Sequence, residues 1–324
     1  MADDNNTVDR SNTNFPYDPT LWAAYLFAVL YGIALLWQLG QAIRYKTGYM
    51  WVMLVACSLE VLGFGLRVES IKKITTLWPI VISQTGVIVA PAFLAAQDYM
   101  IIGRIMSYVG KEYGYINHTR ITKIFVAADI AAILTQASGG SMLSGADGDM
   151  NQMKVGQKIL LGGLALQVIT FGIFAFVAIA FDVRSSRSPT LRPFHNEMRG
   201  MRKLWIAFYV SSVLITARSI FRTVEFAEIK FQTTDDDPVG YLLNHEWPMY
   251  VFDAIPVLIS ILFFAWWHPG YWLPAKKGLR IDGTWEEIPG RRRFICCGRR
   301  KPAKKGPDMA TVPNSTIALA PMSV

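Results

Sequence analysis

The sequence predicts an all-α, polytopic membrane protein, a bundle of seven transmembrane helices, and three observations carry that prediction. Charged residues make up 17% of the 324-residue chain and hydrophobic ones 52%, whereas a soluble chain usually carries about 25% charge. The deficit is uneven, with long stretches nearly free of charge and short ones crowded with it. Seven apolar segments recur, near 21–43, 50–66, 78–103, 121–143, 156–182, 203–224 and 247–267. Each runs about 17 residues or more, which at 1.5 Å per residue crosses a ~30 Å hydrocarbon core with modest tilt. Lipid cannot satisfy backbone polar groups, so each segment has to be helical.

The first segment follows a polar, acidic stretch, MADDNNTVDRSNTNFPYDPT, with no basic region leading into an apolar core. No cleavable signal is expected, and the first span acts as its own insertion signal. The second segment is the shortest and ends at Arg67 and Glu69. The third contains Pro91, and the seventh contains Pro248 and Pro256, residues that kink a helix or free its carbonyls. Gly139-Gly140 is expected to end the fourth, and Gly162-Gly163 to permit close packing of the fifth. Trp22, Trp51, Trp78, Trp205, Trp247, Trp266 and Trp267 fall near predicted ends, where an amphipathic ring prefers the headgroup region.

Lysine and arginine set the expected orientation. One alternate set of loops carries twelve, from Arg44 to Lys203, and the other carries six, among them Arg10, Arg67 and Lys72. The richer set is expected in the cytosol, which puts the N-terminus outside and the C-terminus inside. Asn5-Asn6-Thr7 is then a glycosylation acceptor on the outer side, and the sequons at Asn117 and Asn314 face the cytosol. The chain divides into an extracellular polar segment, 1–20, a seven-helix domain, 21–273, and a basic, largely disordered cytosolic tail, 274–324. In the tail, Cys296 and Cys297 lie between Arg291-Arg292-Arg293 and Arg299-Arg300-Lys301. That pattern suits palmitoylation with anionic inner-leaflet lipid as partner, or equally a solvated tail with idle thiols. The net charge of +8 sits in loops and tail, so a membrane surface explains it better than nucleic acid.

Candidate functional residues are those that cost energy to insert, about 2.5–3.5 kcal/mol for a charge near a helix centre. Such residues normally face the bundle interior. Arg218, Arg222 and Glu225 share one face of the sixth span at spacings of four and three. Glu246 and Asp253 begin the seventh, and Glu60 lies in the second. These form an expected outer group. Gln97, Asp98 and Arg104 on the third span and Asp129 on the fourth form an expected inner group. Gln84, Gln136 and Gln167 add uncharged polar points. Two polar layers around an apolar middle would suit passage of an amphipathic molecule; a structural ion-pair network fixing helix register accounts for the same residues.

No Gly-x-x-x-x-Gly-Lys, Gly-x-Ser-x-Gly or His-Glu-x-x-His is present, the four histidines lack metal-ligand spacing, and the seventh span has no lysine. Neither an enzyme nor a metal or cofactor site is expected.

Five ordered blocks carry a resemblance: APAFLAAQDYMIIGRI (90–105), FVAADIAAILTQASGG (125–140), GLALQVITFGIFAF (163–176), ARSIFRTVEF (217–226) and HEWPMYVFDAIPVLI (245–259), closing with HPG (268–270). Over residues 20–273 the chain resembles the fungal RTA-like lipid-translocating exporters. The resemblance implies a seven-helix plasma-membrane protein tied to sphingoid-base release, phospholipid asymmetry, resistance to toxic amphiphiles or porphyrin passage. It places polar signatures on Gln97, Arg104, Asp129, Gln136, Gln167, Arg218, Arg222, Glu225, Glu246 and Asp253, with Asp98 a departure. The expected partners are membrane lipids and an amphipathic small molecule. The alternative from another class is a seven-helix receptor or lipid-stress sensor that transports nothing.

Overall fold

The structure, a computed structural model, describes residues 20–72, 77–110, 118–144, 149–188, 195–229, 242, 245–273 and 281. Asn5, Cys296, Cys297 and the other two sequons lie outside the described residues. Contacts group Met1–Glu286 into one compact unit and Glu287–Val324 into another; all that follows concerns the first.

The helices are α1 (Leu21–Arg44), α2 (Trp51–Lys72), α3 (Leu77–Val109), α4 (His118–Ser144), α5 (Met150–Arg187), α6 (His195–Ala227) and α7 (Ile255–Trp266). A π-helical segment, Met249–Ala254, leads into α7. Among the described residues seven helices are long and apolar enough to cross a membrane, the seventh span running Met249–Tyr271. Neighbours in sequence pack together, α7 returns to α1, and α3 packs against α2, α4, α5 and α6. One end of the bundle holds Thr20, Lys72, Ala227 and Met249, and the other holds Arg44, Val109, Arg187 and His268. Large apolar side chains such as Trp22, Leu36, Phe176, Val213 and Trp266 point outward, an arrangement that needs lipid as its solvent.

Close backbone approach is built on glycine. A Cβ on Gly86 of α3 would stand 3.2 Å from the Leu59 carbonyl of α2. Between α4 and α5, a Cβ on Gly139 would meet the Leu160 nitrogen at 2.5 Å, and one on Gly163 the Ala132 carbonyl at 3.0 Å. Gly139-Gly140 therefore does not end the fourth span. The helix runs on to Ser144, because Gly139 is a contact surface rather than a terminator. Gly163 serves the packing expected of its pair, whereas Gly162 meets nothing within 4 Å.

Two further expectations are corrected. The second span reaches Lys72 and buries Arg67, whose charge is matched inside the fold, so Arg67 is not a loop residue. Trp205 is 3% exposed and meets Phe208 edge-on at 5.8 Å, a core residue rather than an interfacial one.

The prolines free carbonyls that side chains then claim. Pro91 has no N–H to offer the Val87 carbonyl one turn earlier, and Arg218 Nη2 on α6 donates to that oxygen at 3.0 Å. Pro269 likewise cannot serve the Ala265 carbonyl, and Gln41 Nε2 of α1 does so at 2.8 Å. In the His-Pro-Gly closing the seventh span, His268 Nδ1 accepts from Gly270 N at 3.1 Å. A Cβ on Gly270 would stand 2.8 Å from Tyr45 Cβ, so a side chain there would push away the α1–α2 turn.

Candidate functional site

The Thr20 half of the bundle gathers charge that lipid alone would not tolerate. Arg218 stands nine residues before the end of α6, about 14 Å along the axis, and is 5% exposed. Its Nε closes on Oδ1 of Asp253 while Nη2 of Arg222 closes on Oδ2, so two guanidiniums share one carboxylate. Arg222 Nη1 also pairs with Glu225 at 3.0 Å, one turn further on the same helix. Glu60 of α2, 1% exposed, lies within electrostatic reach of Asp253, Arg218 and Arg222, and its Oε2 has no hydrogen-bond partner. The π-helical turn adds a residue to the strand of backbone that carries Asp253, and Tyr31 donates its hydroxyl to Ala254 O at 2.7 Å beside it.

Toward the Thr20 end an aromatic layer covers these charges. Phe27 stacks on Tyr250 at 5.1 Å and on Phe64 at 5.4 Å, and Phe64 stacks on Tyr31 at 5.6 Å. Beyond it lies Glu246. Its Oε1 accepts from Arg67 Nη2 at 2.7 Å and Tyr250 OH at 3.0 Å. Its Oε2 accepts from Thr20 N at 2.6 Å and Thr20 Oγ1 at 2.5 Å. Glu246 is thus separated from Asp253 by aromatic rings, though the sequence grouped the two.

The expected outer group therefore comes together in two tiers: Glu60, Arg218, Arg222, Glu225 and Asp253 below, Glu246 above. Together with Arg67 they set three guanidiniums against four carboxylates in the buried interior. Breaking a buried pair by removing one partner costs about 3–5 kcal/mol, so the network is strongly self-consistent. Arg67 is the member that sequence reasoning missed.

The expected inner group does not assemble. Gln97 and Arg104 of α3 face the Tyr49–Met50 turn, Asp98 of α3 faces α6, and Asp129 stands on α4. Gln97 donates to Met50 Sδ at 3.1 Å, and Asp98 accepts from Ser211 Oγ of α6 at 2.9 Å. The Arg104 guanidinium covers the Tyr49 ring at 3.7 Å, and Asp129 stands beside the Tyr99 hydroxyl. Gln136 and Gln167 hydrogen-bond each other at 2.9 Å across the α4–α5 contact, a packing role. Asp182, buried and accepting from Tyr209 OH at 2.6 Å, belongs to no expected group. It sits at the end of a predicted span, and that placement alone gave no signal.

A seven-helix membrane protein with a desolvated ionic network in one half is the class that fold and site define. The profile of the family described as RTA1-like protein matches residues 53–276, and the chain belongs to that family. Relatives agree. Protein RTA1 of Saccharomyces cerevisiae is 29% identical over 306 residues, covering 83% of this chain and 92% of that one. Protoporphyrin uptake protein 1 of the same organism is 33% identical over 214 residues, 64% of this chain and 65% of that one. The sphingoid long-chain base transporter RSB1, also from S. cerevisiae, is 23% identical over 297 residues, 83% and 76% of the two chains. No solved structure matches.

Proposed function

We propose that this chain moves an amphipathic lipid or lipid-like molecule across the membrane, its head passing between helices while its apolar part stays against lipid. One observation carries the reading: charged side chains of α6 and the seventh span converge at bilayer depth on Asp253, with Glu60 of α2 and its unpartnered Oε2 beside them. A head group bearing an amine or hydroxyl can donate to that oxygen. The names of the relatives, a sphingoid-base transporter and a protoporphyrin uptake protein, support amphipathic cargo. The positive-inside count supports an outward Thr20 end, and it sharpens once Arg67 leaves the loop tally. On that orientation the network lies in the outer-leaflet half of the bundle, where release from a cell surface membrane ends.

The test is export of a labelled sphingoid base from cells expressing the wild type, Asp253→Asn or Glu60→Gln, at matched abundance, followed by the same assay in liposomes. The expected result is a loss of at least about tenfold in Asp253→Asn and a smaller loss in Glu60→Gln. Equal movement by all three removes the site. Movement in cells with none in liposomes of the wild type returns the chain to the sensor reading.

A further inference from the structure

We infer that Arg67, Glu246 and the aromatic layer beneath them form a gate that closes the buried charges from the Thr20 end. It rests on the reading that those charges line the head-group path, and its test reads access rather than transport. Three elements meet at Glu246: the residue before α1, the last part of α2, and the approach to the seventh span. All four bonds converge on one carboxylate, so its displacement loosens three elements together. The Arg67–Glu246 pair is worth more as a switch than as a brace. Each charge is buried, and the pair ties α2 to the approach to the seventh span. Below the pair, Phe27, Phe64 and Tyr250 overlap from three helices with no covalent or hydrogen-bonded tie between their rings, so they part when the pair does. Tyr250 belongs to both layers: its hydroxyl holds Glu246 and its ring stacks on Phe27. Motion of the carboxylate is thereby passed to the aromatic cover.

Cys57 reports on the space behind the gate. It is fully buried on α2, one turn from Glu60 and near Tyr31. The full chain carrying Cys296→Ser and Cys297→Ser, placed in lipid nanodiscs that leave both faces in solution, is treated with a cationic, membrane-impermeant methanethiosulfonate reagent. A second reporter, Ala178→Cys in a Cys57→Ser background, lies fully buried in α5 and responds only to general loosening. Glu246→Gln and Phe64→Ala are each expected to raise the Cys57 labelling rate about tenfold or more while Ala178→Cys stays at its parent rate. Labelling of Cys57 unchanged in both variants overturns the gate. So does a parallel rise at both reporters, which would mark Glu246 as a structural brace. Loss of transport with no change in access would leave the head-group path standing and remove the gate alone.

Discussion

Asp253 receives two guanidiniums, one on each oxygen, and Arg222 divides itself between Asp253 and Glu225. The members of this network are consequently unequal. Arg222→Gln leaves two buried carboxylates short of a donor, and removing one member of a buried pair costs about 3–5 kcal/mol. Glu225→Gln keeps an acceptor oxygen for Arg222 at a site whose side chain is 11% exposed, so it should cost less than half as much. Thermal denaturation of the purified proteins is expected to rank wild type, Glu225→Gln and Arg222→Gln in falling order. An equal fall for the two variants would show that the pair with Glu225, rather than the one with Asp253, carries what Arg222 contributes. At this scale the sequence was informative because insertion cost is a local property: Arg218, Arg222, Glu225 and Asp253 were selected by sitting inside apolar runs. Arg67 was not. It sits at the end of such a run, where hydropathy reads a charge as the start of a loop. Its partner Glu246 is 179 residues away, and no local pattern records that distance.

Among elements, α3 carries a break that α6 repairs. Pro91→Ala would return an N–H to the Val87 carbonyl and make the Arg218 bond redundant, relieving a helix interruption that costs about 3 kcal/mol in a free helix. The expected outcome is a higher midpoint of thermal unfolding together with at least fivefold slower transport, since Arg218 is released toward Asp253. A lower midpoint would mean that neighbouring helices depend on the bend. The α4–α5 contact gives a cleaner pair. Gly163→Ala drives a Cβ toward the Ala132 carbonyl and should destabilise by about 1–3 kcal/mol. Gly162→Ala, with open space around it, should fall within about 0.5 kcal/mol of the parent or gain slightly from helix propensity. Span number and type were legible because hydrocarbon thickness fixes their length. The π-helical turn at Met249–Ala254 was not, since Pro256 signals an interruption without saying which way the backbone will accommodate it. Gly139 misled for a related reason: a glycine in a helix reads alike as a stop and as a contact until the facing helix is known.

At the scale of the molecule, residues up to Glu286 form one compact unit and Glu287–Val324 another. A chain ending at Glu286 is expected to unfold at the same temperature as the full protein, and to lose any selective binding to vesicles rich in anionic lipid. A shift of the midpoint by several degrees would show that the tail braces the helices. The orientation rests on charge counting, and its check is direct. An endoglycosidase should sharpen and shift the band of the wild type on a gel, and Asn5→Gln should abolish that shift. A fold of this kind is unusually readable from sequence because lipid removes most alternatives. How the seven helices surround one another was not readable, as seven similar segments offer no local clue to which of them is central.

That central place belongs to α3, the helix interrupted at Pro91 and packed against four others. A bundle whose innermost rod carries a proline in mid-helix has a natural place for a fulcrum. Were the rod to flex at Pro91, the helices resting on either side of it would be carried in opposite senses, and widening one end of the bundle would narrow the other. Alternation between the two faces would then be a property of leverage, set by where along α3 the joint was placed.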